Sequence, residues 1–294
     1  MERADLPELI KHGRAKGLRV VMATCGYLLD DESMARLKKA GVSTLSFSID
    51  GSDAETHDRY RQATGSFDSV IKAAEVARRA KMPFQINTTI SKLNSHEILG
   101  IAELAKRLGA VCFNAFIMVP TGRAKEIEDA ILDPVEYEWI LGELLRVKLR
   151  KEIDVRVTCG PAWARICEQA KARGLAVDFG VAMAGGKKGS QNKASGCMGG
   201  KGFGFISYKG DVQTCGFLDI SAGNMVANKF NFGKIWLKSK FLNEIRDTSN
   251  LKGKCGECEY VGLCGGCKAR AMAVLGDYLA SDPVCGYQPK KRQR

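Results

Sequence analysis

Seven of the eleven cysteines crowd into residues 197–285. Cys197 comes first, then Gly210-x4-Cys215, then a dense run, Cys255-x2-Cys258-x5-Cys264-x2-Cys267, and last Cys285. Each CxxC pair puts two sulfurs on one tight turn, and thiolates at such spacings converge on metal. The redox setting points the same way. Met1-Glu2-Arg3-Ala4-Asp5 lacks the basic-then-apolar pattern of a signal peptide, and no apolar run reaches the roughly 18 residues of a membrane span. The chain is expected in the cytoplasm, away from the membrane, where clustered thiols mean metal rather than disulfides.

Two metal chemistries compete for these thiols. The Cys255–Cys267 run alone has enough sulfur for one tetrahedral zinc ion. Its second pair, however, follows the first after only five residues, whereas zinc ribbons usually need roughly fifteen or more between knuckles. Zinc would also leave three cysteines without work. An iron–sulfur cluster is several ångströms across, so its ligands need not meet at a point. Seven thiolates suit two four-iron clusters with one position left for another ligand. Cys25, Cys112, Cys159 and Cys167 are scattered, and buried structural roles are the default for them.

The charge follows the cysteines. The chain carries a net +12, and residues 187–294 hold 18 basic against 8 acidic residues, which is +10 of it. Cysteinates and cluster sulfides are negative, and nearby Lys and Arg would offset them. An acidic partner, a polycarboxylate substrate before nucleic acid, is the functional alternative. The Lys290–Arg294 tail reads as a solvated end.

Residues 1–175 alternate strand and helix. Helices are expected over 3–16, 31–39, 67–80, 95–108 and 134–150. Strands are expected over 18–24 (buried), 43–49, 83–90, 110–119 and 153–158. One pair every 20–35 residues is the pattern of βαβ units and a parallel sheet. A barrel, a partial barrel and a doubly wound sheet all satisfy it. Polar residues close the strands: Thr24, Ser48 with Asp50, Asn87 with Thr88 and Thr89, and Arg123. Residues 50–61 read as a polar loop in which His57 is a hydrogen-bonder rather than a base. A Gly/Lys-rich linker falls at 176–196 and a hairpin at 202–215 around Tyr208-Lys209-Gly210. A short helix is expected over 238–246.

The seven-cysteine pattern resembles the SPASM domain, the auxiliary-cluster extension of radical S-adenosylmethionine (SAM) enzymes. Ser48-Ile49-Asp50-Gly51, His57-Asp58, Arg61 and Gly65-Ser66-Phe67 are similar to the segment after that family's fourth barrel strand. Val119-Pro120-Thr121-Gly122-Arg123 and Cys264-Gly265-Gly266-Cys267-Lys268-Ala269-Arg270-Ala271 resemble its tetrapyrrole branch, which includes the haem synthase and the didecarboxysirohaem deacetylase of alternative haem biosynthesis. The resemblance covers essentially the whole chain.

It implies an α/β fold: a partial (β/α) barrel of radical SAM type over 1–175, N-terminally truncated, then a C-terminal SPASM iron–sulfur domain over 197–294. It implies two auxiliary [4Fe-4S] clusters. Cys255, Cys258, Cys264 and Cys285 would hold the outer one, and Cys197, Cys215 and Cys267 the inner one. Ser48, Asp50 and Asn87 would lie on the SAM side, and Arg123, with its bidentate fork, would bind substrate carboxylates. The family's CxxxCxxC and GGEP motifs do not occur in this sequence. SAM and a third [4Fe-4S] cluster are therefore expected only with a preceding segment that carries them. The implied partners are a tetrapyrrole substrate and an electron donor such as ferredoxin or flavodoxin. The alternatives are a SPASM peptide maturase and a non-catalytic iron–sulfur or zinc protein that binds its partner through the basic region.

Overall fold

The computed structural model describes residues 3–177 and 196–290. The linker expected at 176–196 lies outside the described residues except at 176–177 and 196, as does the tail beyond Lys290. The chain divides into two compact units, Met1–Ile117 with Glu143–Thr158, and Met118–Gly142 with Cys159–Arg294.

Strand and helix alternate through α1 (Leu6–Ala15), β1 (Val21–Ala23), α2 (Asp31–Ala40), β2 (Thr44–Ser48), α3 (Ala54–Arg61), α4 (Ser66–Arg79), β3 (Phe84–Ile90), α5 (Ile98–Leu108), β4 (Cys112–Ile117), α6 (Pro134–Leu149) and β5 (Asp154–Thr158). The five strands are parallel and lie in the order β1-β2-β3-β4-β5. A doubly wound sheet reverses its strand order at a switch point. This one winds one way throughout, as a segment of a (β/α) barrel does.

The period-2 alternation of the strands sorts the two faces of this sheet. Leu45, Phe47 and Ile49, Phe84, Ile86 and Ile90, and Phe113, Ala115 and Ile117 are buried. α4 packs on β2, and α5 on β3 and β4. Gly26 shows how close α4 comes: a β-carbon there would lie 2.7 Å from Ala73 Cβ and 3.7 Å from the Phe47 ring. Helix ends carry their own signals. Asp30 Oδ1 accepts from Ser33 N at 2.8 Å while Asp30 N donates to Ser33 Oγ at 3.0 Å, a reciprocal cap that starts α2.

Two expectations for this unit need correction. The buried strand over 18–24 is only three residues long, and Val21 is 50% exposed, because β1 pairs with β2 alone at the edge of the described sheet. The polar loop over 50–61 contains a helix, α3, which starts where Asp53 Oδ1 accepts from Thr56 N at 2.9 Å.

The second unit includes α7 (Ala162–Ala172), which the sequence reading missed. The expected hairpin is present as β6 (Phe205–Ile206) and β7 (Asp211–Gln213), and β8 (Gly223–Asn224) adds a third antiparallel strand. The helix expected over 238–246 is present as α9 (Lys240–Arg246), and α8 (Phe232–Lys238), which was not expected, precedes it. They break at Ser239, whose Oγ accepts from Leu242 N at 3.4 Å and caps α9. α10 (Gly253–Glu257) and α11 (Lys268–Leu275) complete the unit. Among the described residues no helix is long and apolar enough to cross a membrane.

Candidate metal-cluster centre and sheet rim

In the first unit the face opposite the apolar one is polar. Register places Ser48 beside Asn87, Asn87 beside Asn114 and Asn114 beside Arg156. Asn87 Oδ1 accepts from Gln85 Nε2 at 2.9 Å and from Asn114 Nδ2 at 3.3 Å, and Thr158 Oγ1 donates to Asn114 Oδ1 at 3.0 Å. A row of hydroxyls and amides across neighbouring strands presents donors and acceptors to a polar molecule. The sequence reading named Ser48 and Asn87 but missed Asn114. Its signal was a lone amide in an otherwise apolar strand, Cys112-Phe113-Asn114-Ala115-Phe116.

Asp50 follows β2 but turns inward. It is fully buried, its Oδ1 accepts from Thr89 N at 2.7 Å, and its carboxylate pairs with Arg61 Nε. Its carbonyl accepts from Asn94 Nδ2 at 2.9 Å and its N–H donates to His57 Nδ1 at 3.0 Å. Gly51 keeps this turn tight, since a β-carbon there would lie 2.4 Å from His57 N. Asp50, His57 and Asn94 thus fix the loop between strand end and helix.

His57 is a neutral acceptor. Burial, then the Arg61 charge, lowers its pKa to about 4. Above about pH 6.5 the imidazole is neutral folded and unfolded alike. Below that the unfolded ring takes up a proton that the folded ring refuses, so stability falls as pH drops towards 4. Asp50 works the other way, because burial pushes its carboxyl up against the pull of Arg61. Asp58, which faces His57, is held low by amide donors from Phe67 and Gly65. Comparison with His57→Gln isolates the histidine. Wild type is expected to lose about 2–3 kcal/mol more than the variant between pH 7 and pH 4.5 in urea unfolding. Parallel pH profiles would refute the neutral-acceptor role.

In the second unit Cys255, Cys258, Cys264 and Cys285 line one cavity, together with Arg165, Lys254 and Tyr287. Gly265 and Gly266 both adopt positive φ, 69° and 67°, and a β-carbon on Gly266 would lie 3.2 Å from Cys255 Sγ. The turn between the thiols therefore needs glycine. Burial pushes the Cys264 thiol up to about 12, with Cys285 and Asp282 adding to it. A thiolate there requires positive charge beside it, which metal supplies. Among the described residues no three His, Cys, Asp or Glu side chains converge as a single ion would need. The four thiols share a cavity rather than a point, which fits a group several ångströms across.

The other three cysteines lie within electrostatic reach of one another. Cys267 is buried with Val119, Leu218, Ile245 and Ala269, and Cys215 and Cys159 pack against that core. Cys197 lies close enough to feel Cys267, Lys268 and Cys215 electrostatically. The Cys159 thiol shares a hydrogen bond with Cys267, which lowers the Cys267 thiol and raises its own. A buried ion pair supports the group. Arg270 Nη1 lies 3.0 Å from both Asp282 oxygens, its Nε donates to Met118 O at 3.2 Å and its Nη2 to Cys159 O at 2.5 Å. Asp282 Oδ2 in turn accepts from Cys267 N at 2.9 Å. Arg123 stands apart. It is exposed in the 3-10 turn Gly122–Ala130 and makes no side-chain hydrogen bond or ion pair among the described residues.

The radical SAM superfamily profile matches residues 2–105. Streptococcus suis SuiB, solved with its precursor peptide SuiA, superposes with a TM-score of 0.67 at 15% identity over 97% of this chain. The chain spans 63% of that protein's length. Its fold is that of a radical SAM protein. Two relatives are much nearer in sequence. The AdoMet-dependent heme synthase of Methanosarcina barkeri is 43% identical over 99% of this chain and 81% of its own length. The enzyme of the same name from Nitratidesulfovibrio vulgaris is 39% identical over 99% of this chain and 77% of its own length. The chain belongs to the radical SAM superfamily and, within it, to the family of the AdoMet-dependent heme synthases. Membership implies iron–sulfur and SAM chemistry.

Proposed function

We propose that this chain supplies the sheet and the auxiliary-cluster region of a radical SAM/SPASM enzyme that modifies a tetrapyrrole in cytoplasmic haem biosynthesis. The observation that carries the reading is the cavity lined by Cys255, Cys258, Cys264 and Cys285, the set expected to hold one cluster. The 43% identity to a heme synthase supports a tetrapyrrole as the substrate class. SuiB, whose structure holds a peptide, shares only 15% identity, so the likeness carries the fold and not the peptide.

On this reading residues 1–175 form the partial barrel and 197–294 the SPASM domain. The four outer thiols hold one [4Fe-4S] cluster, and Lys254 and Arg165 offset its charge. Cys197, Cys215 and Cys267 hold the second. Held there, the clusters would supply electron transfer from a ferredoxin- or flavodoxin-type donor, or a binding point for substrate. When bound, SAM supplies a 5′-deoxyadenosyl radical that abstracts hydrogen, and its cluster needs a CxxxCxxC motif, which these 294 residues do not contain. Ser48 and Asn87 present polar groups towards SAM, and Asp50 acts by fixing the turn beside them. Arg123, exposed and unengaged, takes a propionate carboxylate through its fork.

The test is the iron, zinc and acid-labile sulfide content per chain after anaerobic purification, beside Cys255→Ala. About eight iron and eight sulfide are expected, falling towards four of each in the variant. One or two zinc without sulfide sinks the cluster reading. The same preparation titrated with a porphyrin carrying several carboxylates should shift the porphyrin absorption band. No shift at micromolar protein sinks the substrate class.

A further inference from the structure

We propose that Cys159 supplies the fourth thiolate of the inner cluster, beside Cys197, Cys215 and Cys267. The inference rests on the reading that those three hold an iron–sulfur cluster, and all four belong to the second unit. Spacing gave no hint of it. Cys159 lies far upstream of the cysteine-rich run and reads as a buried small hydrophobe.

Three observations converge on it. First, its thiol lies near other candidate ligands. Cys159 packs against the core that contains Cys267, and its thiol lies within electrostatic reach of the Cys267 and Cys215 thiols. Second, Cys159 has φ +56°, a left-handed conformation that a β-carbon disfavours and glycine adopts freely. The next residue is Gly160, so a glycine-tolerant turn lies at hand. Gln62, Lys81, Lys151, Lys229 and Phe230 share this conformation, and of the six Cys159 alone packs against a core that contains a candidate ligand, where such an outlier points to function. Third, a single buried pair fixes both thiols. Arg270 donates to Cys159 O at 2.5 Å and binds Asp282, and Asp282 accepts from Cys267 N at 2.9 Å. The backbones of Cys159 and Cys267 are thus pinned to one rigid Arg–Asp unit.

The donor inventory agrees. A cubane presents four irons, and the three expected inner ligands leave one. Met198-Gly199-Gly200-Lys201-Gly202-Phe203-Gly204, directly after Cys197, contains no thiol, carboxylate or imidazole. Asp282 has both oxygens on Arg270 and one on the Cys267 amide. Cys159 is the remaining sulfur beside the group. On ligation its thiol gives its proton to solvent and its sulfur donates a lone pair to iron, with no change of oxidation state.

The experiment compares anaerobically purified, reconstituted wild type with Cys159→Ala, Cys159→Ser and, as a control at an exposed thiol, Cys25→Ser. Iron and sulfide are counted, and electron paramagnetic resonance spectra are taken oxidised and reduced. With Cys159→Ala, between about one and four irons per chain should be lost and a three-iron signal should appear on oxidation. With Cys159→Ser, whose oxygen can bind iron, part of the iron returns under a shifted spectrum. Cys25→Ser should match wild type. Full iron and an unaltered spectrum in Cys159→Ala overturn the proposal. A second measurement needs no variant: cyanide added to reduced wild type should leave the inner-cluster spectrum unchanged, and a shift means an open iron and overturns the proposal too. If wild type itself holds no sulfide, the cluster reading fails instead, which is a distinct result.

Discussion

Replacing Arg270 by Met is expected to destabilise the chain by about 3–5 kcal/mol, the cost of leaving a buried charge without its partner. Arg270 and Asp282 are 0% and 2% exposed, so water cannot take over when the guanidinium is gone. Asp282 would keep the Cys267 N–H and lose its counter-charge. Met118 O and Cys159 O would lose their donors, and each buried carbonyl left unmade adds to the cost. The Tyr137 ring, 5.9 Å from the guanidinium and fully buried, would face a void. Two companion variants separate these contributions. Asp282→Asn keeps an acceptor near Cys267 without the charge, so the double variant Arg270→Met with Asp282→Asn should recover part of the loss. Arg270→Lys keeps the charge but not the fork that reaches two carbonyls and a carboxylate at once, and should fall between. Urea unfolding gives the energies, and iron content gives the consequence for the thiols. A loss below about 1 kcal/mol for Arg270→Met, of the size of an exposed pair, would show that the pair is worth no more than a surface one.

That network marks the line between what the sequence reveals and what it hides. The sheet was legible because its buried strands alternate: Leu45, Phe47 and Ile49 against Ser46 and Ser48 can be read from periodicity alone. The Cys255–Cys267 run was legible as metal-binding because its members lie close in the chain, whereas grouping Cys255, Cys258 and Cys264 with the distant Cys285 came from the family resemblance and not from spacing. α3 was hidden because Ala-Glu-Thr-His-Asp-Arg-Tyr-Arg has no apolar stripe, and Asp53 starts it by a cap rather than by burial. α8 was hidden because it is only seven residues long and carries Gly233 in its first turn. Asn114, Cys159 and Arg270 were hidden for another reason: their partners come from distant strands and loops. Only the fold sets Cys159 beside Cys267, and no local pattern records it.

On the reading proposed above, removing the clusters is expected to cost the cysteine-rich region its fixed structure, because its secondary structure is too short to hold itself. α8 and α9 have seven residues each, α10 has five and α11 eight. Isolated helices under about 12–15 residues are marginal in water. The strands are two or three residues long. Cys255 lies within α10, Cys267 holds the N-cap position of α11, and Cys258 and Cys264 lie between, so on that reading ligation ties each short element to the next. Metal binding of this kind is folding free energy for the segment it closes. After oxidation and chelation strip the iron, amide exchange across 253–285 should speed up on the order of a hundredfold, about 2.7 kcal/mol of lost protection. Exchange in β2, β3 and β4 should change little, since those strands are held by one another and by α4 and α5. Cys255→Ala alone should loosen α10 and the turns to Cys264 more than α11, whose first residue follows Cys267 and whose Arg270 remains clamped on Asp282. Equal protection with and without iron would mean that the buried Arg–Asp pair and its apolar neighbours suffice. The thiols would then be passengers on a finished fold rather than part of what finishes it.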